Sequence, residues 1–121
     1  MKEITAKEFE KEVLQGGKVA LDFYSTECPP CEALAPKFDN MNEIYGKDIT
    51  LLKIFRQGNK ELATQLDVNS SPTVLFFDNG KQVGEKLSGG IKKSDLARNL
   101  DALLPKDKVA VIKSKIKKNN Q

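Results

Sequence analysis

Apolar residues along this chain recur with two different periods, and the switches between them outline a fold. Thr5-Ala6-Lys7-Glu8 has the spacing of a capping box, and Phe9, Val13 and Leu14 follow on one face. A helix is therefore expected to about Leu14, ended by Gly16-Gly17. Lys18 to Ser25 is apolar on both faces, as a central strand covered from both sides must be. From Pro30 to about Tyr45, Cys31, Leu34, Ala35, Phe38, Met41 and Tyr45 stay roughly in helical register, with a kink expected at Pro36. Ile49 to Phe55 is a second buried strand, and Asn59 opens a short helix to about Leu66. Thr73 to Phe77 is a third strand, joined through the turn Asp78-Asn79-Gly80-Lys81 to a fourth, Gln82 to Leu87. Gly89-Gly90 forms a flexible corner, and Ser94 is the expected cap of a last helix that stops before Pro105.

The resulting order is α, β, α, β, α, β, β, α. Strand–helix–strand segments imply parallel pairing through right-handed crossovers, and the hairpin adds an antiparallel edge. The expected architecture is α/β, a mixed sheet of four or five strands with helices on both faces.

Composition sharpens this outline. A chain of 121 residues, 39% hydrophobic and 31% charged, suits one globular domain with a core of its own. The net charge of +3 is unevenly placed. Residues 105–121 hold six lysines against one aspartate, which leaves 14 basic and 16 acidic groups in residues 1–104. The expectation is a mildly acidic domain over residues 1–104 and a basic, lysine-rich tail or linker over 105–121, too polar for a core. The tail has no aromatic residue and little amphipathic pattern, so neither nucleic acid nor a membrane is an expected partner. The first eight residues contain no apolar signal stretch and no later run approaches transmembrane length, which makes the cytoplasm the expected location.

The candidate chemistry lies in Cys28-Pro29-Pro30-Cys31, which holds the only two cysteines. Cysteines at i and i+3 on a first helical turn stand close enough for a disulfide with little backbone movement. Closing so short a loop stabilises a fold by only about 2 kcal/mol, against roughly 4.7 for a long one, so the bond is better suited to switching than to stapling. Two other readings stand beside a redox couple: an incidental pair, and a zinc half-site. With no histidine in the chain, four zinc ligands would require two copies. Cys28, at a helix N-terminus, is the expected nucleophile, since unpaired amides and the helix dipole lower a thiol's pKa there. Asp22 is a lone acid in an apolar strand, where burial raises a carboxyl pKa.

Taken together, these signs resemble the thioredoxin family over about residues 3–104. They are Asp22-Phe23-Tyr24 ahead of the Cys-Pro-Pro-Cys stretch, Ala35-Pro36 within the following helix, Lys53 in the next strand, Ser71-Pro72-Thr73, Asn79-Gly80 in the hairpin, and Gly89 after the last strand. The family's active site usually carries Trp before the first cysteine, Gly-Pro between the two, and Lys after the second. Here those positions read Glu27, Pro29-Pro30 and Glu32, and the chain has no Trp.

The resemblance implies a thioredoxin fold and a protein disulfide reductase, or electron carrier, cycling Cys28 and Cys31 between dithiol and disulfide. Cys28 attacks and Cys31 resolves. Asp22 matches the buried acid that accepts the resolving thiol's proton, and Lys53 matches its lysine partner; a paired core charge with no kinetic role is the alternative. A cis bond before Pro72 is implied, beside the cysteines, with Ser71, Pro72, Thr73, Gly89 and Gly90 forming a substrate-contact surface together with Pro29 and Pro30. The implied partners are disulfide-containing proteins and a flavin-dependent (FAD) thioredoxin reductase. No cofactor is expected on this chain, and a monomer is. The Lys-Ile-Lys-Lys-Asn stretch is similar to the hinge before a flavoprotein reductase domain in fused bacterial proteins, so one domain of a longer polypeptide is a further reading of the tail. Glu27 and Glu32 oppose thiolate formation and lean the couple toward a reductant, unless solvent screens them. An oxidase or isomerase of the same fold, and a non-catalytic binding module, are the competing functions.

Overall fold

The strand apolar on both faces, β2 (Lys18–Tyr24), is the middle of a five-stranded mixed sheet ordered β1-β3-β2-β4-β5 in the computed structural model, which describes residues 1–119. The other strands are β1 (Lys2–Ile4), β3 (Thr50–Phe55), β4 (Thr73–Asp78) and β5 (Lys81–Ser88). β2 and β3 run parallel across the crossover helix α2 (Pro29–Tyr45), and β4 runs antiparallel to both β2 and β5. Asn79 and Gly80 both take positive φ, 51° and 84°, which is the conformation a two-residue hairpin turn requires.

The alternation of side chains along each strand divides the core in two. On one face Ala20, Leu51, Val74 and Phe76 pack against Leu34, Phe38, Met41 and Tyr45 of α2 and Leu96 and Leu100 of α4 (Lys93–Ala102). On the other, Val19, Leu21, Phe23, Ile54 and Phe77 meet Phe9 of α1 (Ala6–Phe9), Val13 of the π turn Glu10–Leu14 that continues it, and Leu62 and Ala63 of α3 (Lys60–Gln65). This is the α/β architecture expected, with its fifth strand present.

Three elements differ from expectation. β1 is absent from the sequence reading because three residues, two of them charged and exposed, carry no period; it forms by pairing Lys2, Glu3 and Ile4 with Leu52, Lys53 and Ile54. The first turn of α4 begins at Lys93 rather than at a Ser94 cap, and the Asp95 carboxylate accepts the Lys92 amide at 3.0 Å. The expected solvated tail is instead helix α5 (Lys106–Asn119), while Asn120 and Gln121 lie outside the described residues. One apolar residue anchors it: Ile112 is 8% exposed and joins the α2–α4 core, with Ile116 against it. Lys108 reaches Asp48 at 2.8 Å and Lys113 reaches Asp101 at 3.6 Å, where the Tyr45 hydroxyl also donates at 2.6 Å. The lysines that make the segment read as linker thus become a polar face over a small apolar contact.

Replacing Ile112 by Ala should cost about 2 kcal/mol and lower the melting temperature by roughly 8 °C. An unchanged thermal midpoint would show that α5 does not contribute to the core.

Candidate functional site

Two chain segments meet at one end of the central strand pair. Because β2 and β4 are antiparallel, with Phe23 opposite Thr73, the segment leaving β2 and the segment entering β4 lie side by side. The first carries Cys28 and the second carries Ser71 and Pro72, joined by a cis peptide bond. Cys28 is the N-cap of α2, and its sulfur is bonded to that of Cys31 across a Cα–Cα distance of 5.2 Å. The two cysteines are 9% and 7% exposed, so the couple sits at the rim rather than on open surface.

The two prolines determine what surrounds Cys28 Sγ. An α-helix begins with four amides lacking intrahelical partners. Here two of the four are absent, since Pro29 and Pro30 have no N–H, while the Glu32 amide makes the first intrahelical bond, donating to the Cys28 carbonyl at 3.0 Å. The Cys31 amide remains, and it donates to Cys28 Sγ at 3.2 Å. One directed amide and the helix dipole therefore stabilise a thiolate at Cys28, against the exposed carboxylates of Glu27 and Glu32. Glu27 itself has φ of 50°, a left-handed conformation uncommon for a side chain of this kind, immediately before Cys28.

Across the rim, Cys28 Sγ lies 3.6 Å from the Ser71 carbonyl oxygen. Ser25 and Ser71 share a hydroxyl hydrogen bond of 2.5 Å that ties the two segments together. Thr73 Oγ1 donates to the Ser70 carbonyl at 2.8 Å, and Gly89 N donates to the Pro72 carbonyl at 3.3 Å, bringing the Gly89-Gly90 corner alongside. Gly89 needs its glycine for a φ of 73°; Gly90 has neither a positive φ nor a close neighbour. Arg56 secures the stretch before the cis bond, donating to the carbonyls of Val68 and Asn69.

Beneath the rim lies a cleft of about 210 Å³ lined by Asp22, Tyr24, Cys31, Glu32, Asp39 and Lys53 among others. Cys31, and not Cys28, faces it. Asp22 is 6% exposed, and its Oδ1 has no hydrogen-bond partner. Burial pushes its carboxyl up to about 7, against a smaller opposing pull from Lys53. Lys53 is the register partner of Asp22 on β3, yet among the described residues the two form no ion pair; its Nζ instead lies 5.7 Å from the centre of the Tyr24 ring. The cleft is open and polar enough to admit water between Asp22 and Cys31.

Cys28, Pro29, Pro30, Ser71, Pro72, Thr73 and Gly89 thus fall at this end of the sheet, and Asp22, Cys31 and Lys53 line the cleft. Three contributors had not been singled out: Ser25, Arg56 and Glu3, whose carboxylate accepts the Tyr24 hydroxyl at 2.8 Å. Each acts on a residue more than ten positions away, which no local pattern records. Among the described residues no three His, Cys, Asp or Glu side chains gather as a metal ion would need, and no helix is long and apolar enough to cross a membrane.

The thioredoxin family model matches residues 1–102. Among curated proteins, the chain is 34% identical over 107 residues to a thioredoxin of Acetoanaerobium sticklandii, covering 88% of this chain and 98% of that one. It is 37% identical over 82 residues to thioredoxin-1 of Saccharomyces cerevisiae, covering 67% and 78%. It is also 33% identical over 112 residues to chloroplastic thioredoxin X of Arabidopsis thaliana, covering 91% of this chain and 62% of that longer protein. A disulfide joining the cysteines of a Cys-x-x-Cys turn, on this fold and among these relatives, makes the chain a thiol–disulfide oxidoreductase of the protein disulfide reductase kind. It belongs to the thioredoxin family.

Proposed function

We propose that Cys28 attacks, Cys31 resolves, and Asp22 takes the resolving proton, so that the chain passes two electrons to a protein disulfide bound along Ser71-Pro72-Thr73. The observation that carries this division of labour is the placement of the sulfurs. Cys28 lies on the rim, 3.6 Å from the Ser71 carbonyl oxygen, whereas Cys31 shares the cleft with Asp22.

In the first step the Cys28 thiolate attacks one sulfur of the substrate disulfide. A mixed disulfide forms and the other substrate sulfur leaves as a thiolate. In the second, the Cys31 thiol gives its proton to the Asp22 carboxylate, directly or through one water. The Cys31 thiolate then attacks Cys28 Sγ, forming the Cys28–Cys31 disulfide and releasing the second substrate thiolate. The chain is oxidised by two electrons and the substrate is reduced by two. A carboxyl that titrates near 7 is matched to this task, because it is ionised often enough to accept a proton and basic enough to hold one. Lys53 favours the ionised form of Asp22 through the shared cleft.

Substrate contact falls to the backbone of Ser71, Pro72 and Thr73, in the manner of strand addition, flanked by Gly89, Gly90, Pro29 and Pro30. The single amide at Cys28 Sγ and the two nearby glutamates disfavour a strongly stabilised thiolate, which supports a reductant rather than an oxidant. Such a couple must be refilled with electrons, and a flavin-dependent reductase, separate or fused, is the donor that suits a dithiol carrier. The cytoplasm, where thiols are kept reduced, suits the same role.

Two experiments test the assignment. Cys31→Ser should trap stable mixed disulfides with protein substrates, Cys28→Ser should trap none, and the midpoint potential at pH 7 should lie near or below about −250 mV; trapping by the second variant alone would reverse the roles. Asp22→Asn should slow turnover by about 100-fold, the lower range for a positioned acid–base group. The same substitution has a sign in stability. The folded chain holds a proton on Asp22 between its ordinary pKa of 3.8 and about 7 that the unfolded chain has released, so stability falls as pH rises through that window. The loss above it is on the order of 4 kcal/mol. Asp22→Asn should therefore melt higher than the parent at pH 8 and close to it near pH 4, in thermal scans of the oxidised protein.

A further inference from the structure

Three strands place three charged side chains in one row. Glu3 on β1 pairs in register with Lys53 on β3, and Lys53 pairs with Asp22 on β2. Register partners on parallel strands present their side chains to the same face about 4.8 Å apart. Lys53 is thus flanked by two carboxylates of opposite standing: Glu3 is exposed, and Asp22 is buried with an unpartnered oxygen. An ammonium pairs more readily with the exposed carboxylate, since that contact requires no desolvation. The structure does not show that pairing. Among the described residues Lys53 makes no ion pair with either acid.

The reason lies two residues along β2, on the face that Asp22 also occupies. The Tyr24 hydroxyl donates to Glu3 Oε2 at 2.8 Å, while the face of the same ring stands 5.7 Å from Lys53 Nζ. The ring is held in turn by Phe55, 5.6 Å away between centroids. Burial first, and then the Glu3 hydrogen bond, push the Tyr24 hydroxyl up to about 12, so it remains a donor wherever Asp22 titrates. Tyr24 therefore engages the competing carboxylate with its hydroxyl and the cation with its ring.

We propose that Glu3 and Tyr24 are positioning residues: the Tyr24–Glu3 hydrogen bond keeps Glu3 off Lys53 and leaves that cation to act on Asp22 across the cleft. The proposal deepens the reading of Asp22 as proton acceptor and rests on it. Other charges face the same cleft, namely Glu32 and Asp39 from α2 and the amino-terminal residue Met1 at its mouth. Cys31 faces it as well. Burial sets the level about which Lys53 works, and none of those groups is register-paired with it. β4 presents only Val74 opposite Asp22.

Removing the hydroxyl frees Glu3 to draw Lys53 outward, and ionised Asp22 loses its cation. Tyr24→Phe should raise the midpoint of the Asp22 titration by about half a pH unit, a three-fold change in proton affinity. The midpoint is read from the carboxyl-carbon NMR shift of the oxidised protein, in which the cysteines do not titrate. Glu3→Gln should leave the midpoint unchanged or lower it, because an amide oxygen still accepts the hydroxyl but no longer attracts the ammonium. The decisive variant is the double one. With the competitor's charge removed, Tyr24→Phe/Glu3→Gln should return the midpoint to that of the parent, whereas a packing effect of the lost hydroxyl would persist. An unmoved midpoint in Tyr24→Phe, or a shift retained in the double variant, overturns the proposal. The pH profile of substrate-disulfide reduction by Tyr24→Phe separates it from the assignment beneath. A profile that follows the shifted Asp22 midpoint supports both. A shifted midpoint with an unshifted profile removes Asp22 from the proton transfer and leaves the positioning standing.

Discussion

The antiparallel pairing of β2 with β4 is the contact on which the site depends. Chain direction makes the end of one strand the neighbour of the beginning of the other, so the turn after Tyr24 and the turn before Thr73 share one corner of the sheet. Everything chemical is then local. Cys28 caps the helix that starts there, Ser71 faces it, and the Ser25–Ser71 hydrogen bond joins the two turns. Parallel pairing of β2 with β3 adds Lys53 beside Asp22 from the other flank. A change of one residue in either register would send Asp22 to the opposite core and out of the cleft it shares with Cys31.

Asp22 is the one conspicuous energetic cost in this arrangement. The strand around it is apolar, and the other buried polar side chains among the described residues, Thr73 and Asn99, have partners: Thr73 bonds Ser70, and Asn99 bonds Glu85 and Asp95. Asp22 Oδ1 has none. A polar atom left in that condition opposes folding, and the cleft that Asp22 lines is shared with Cys31. The cap of α2 is pared down in a comparable way. Two prolines remove amides at the point where a sulfur anion would use them, so the thiolate is supported sparingly.

Much of this was legible in the chain because the signals are local. A strand apolar on both faces announced its central place, Asn79-Gly80 announced the hairpin, and Thr5 with Glu8 announced the first helix, whose capping box forms. Cys28 and Cys31 lie one turn apart, so their proximity follows from helix geometry alone. The cis bond and the closeness of Pro72 to Cys28 rested on family resemblance, since composition favours trans. What escaped is non-local or weak. β1 is held by a neighbour 50 positions away, and Ser25 meets Ser71 across 46 residues. α5 escaped for another reason: one buried isoleucine is enough to dock a helix whose lysines dominate its composition.

The outer edge of the sheet bears on how long partners stay together. Strand β5 is interrupted by a bulge, where Leu87 pairs with Val74 but Val83 pairs with Phe76, and Gly84 takes a φ of 69°. Asn99 Oδ1 reaches over from α4 to accept the Glu85 amide at 2.9 Å, while Lys81, Glu85 and Lys86 stand exposed along the strand. An edge bent, charged and partly satisfied from within is a poor template for another chain's strand. The opposite edge, β1, is only three residues long. Under the proposed function, a partner that cannot extend the sheet has little backbone to grip beyond the short stretch at Pro72. Its residence time would then be set by the life of the covalent sulfur bond and not by buried area, as suits a carrier that must let go of each protein it meets.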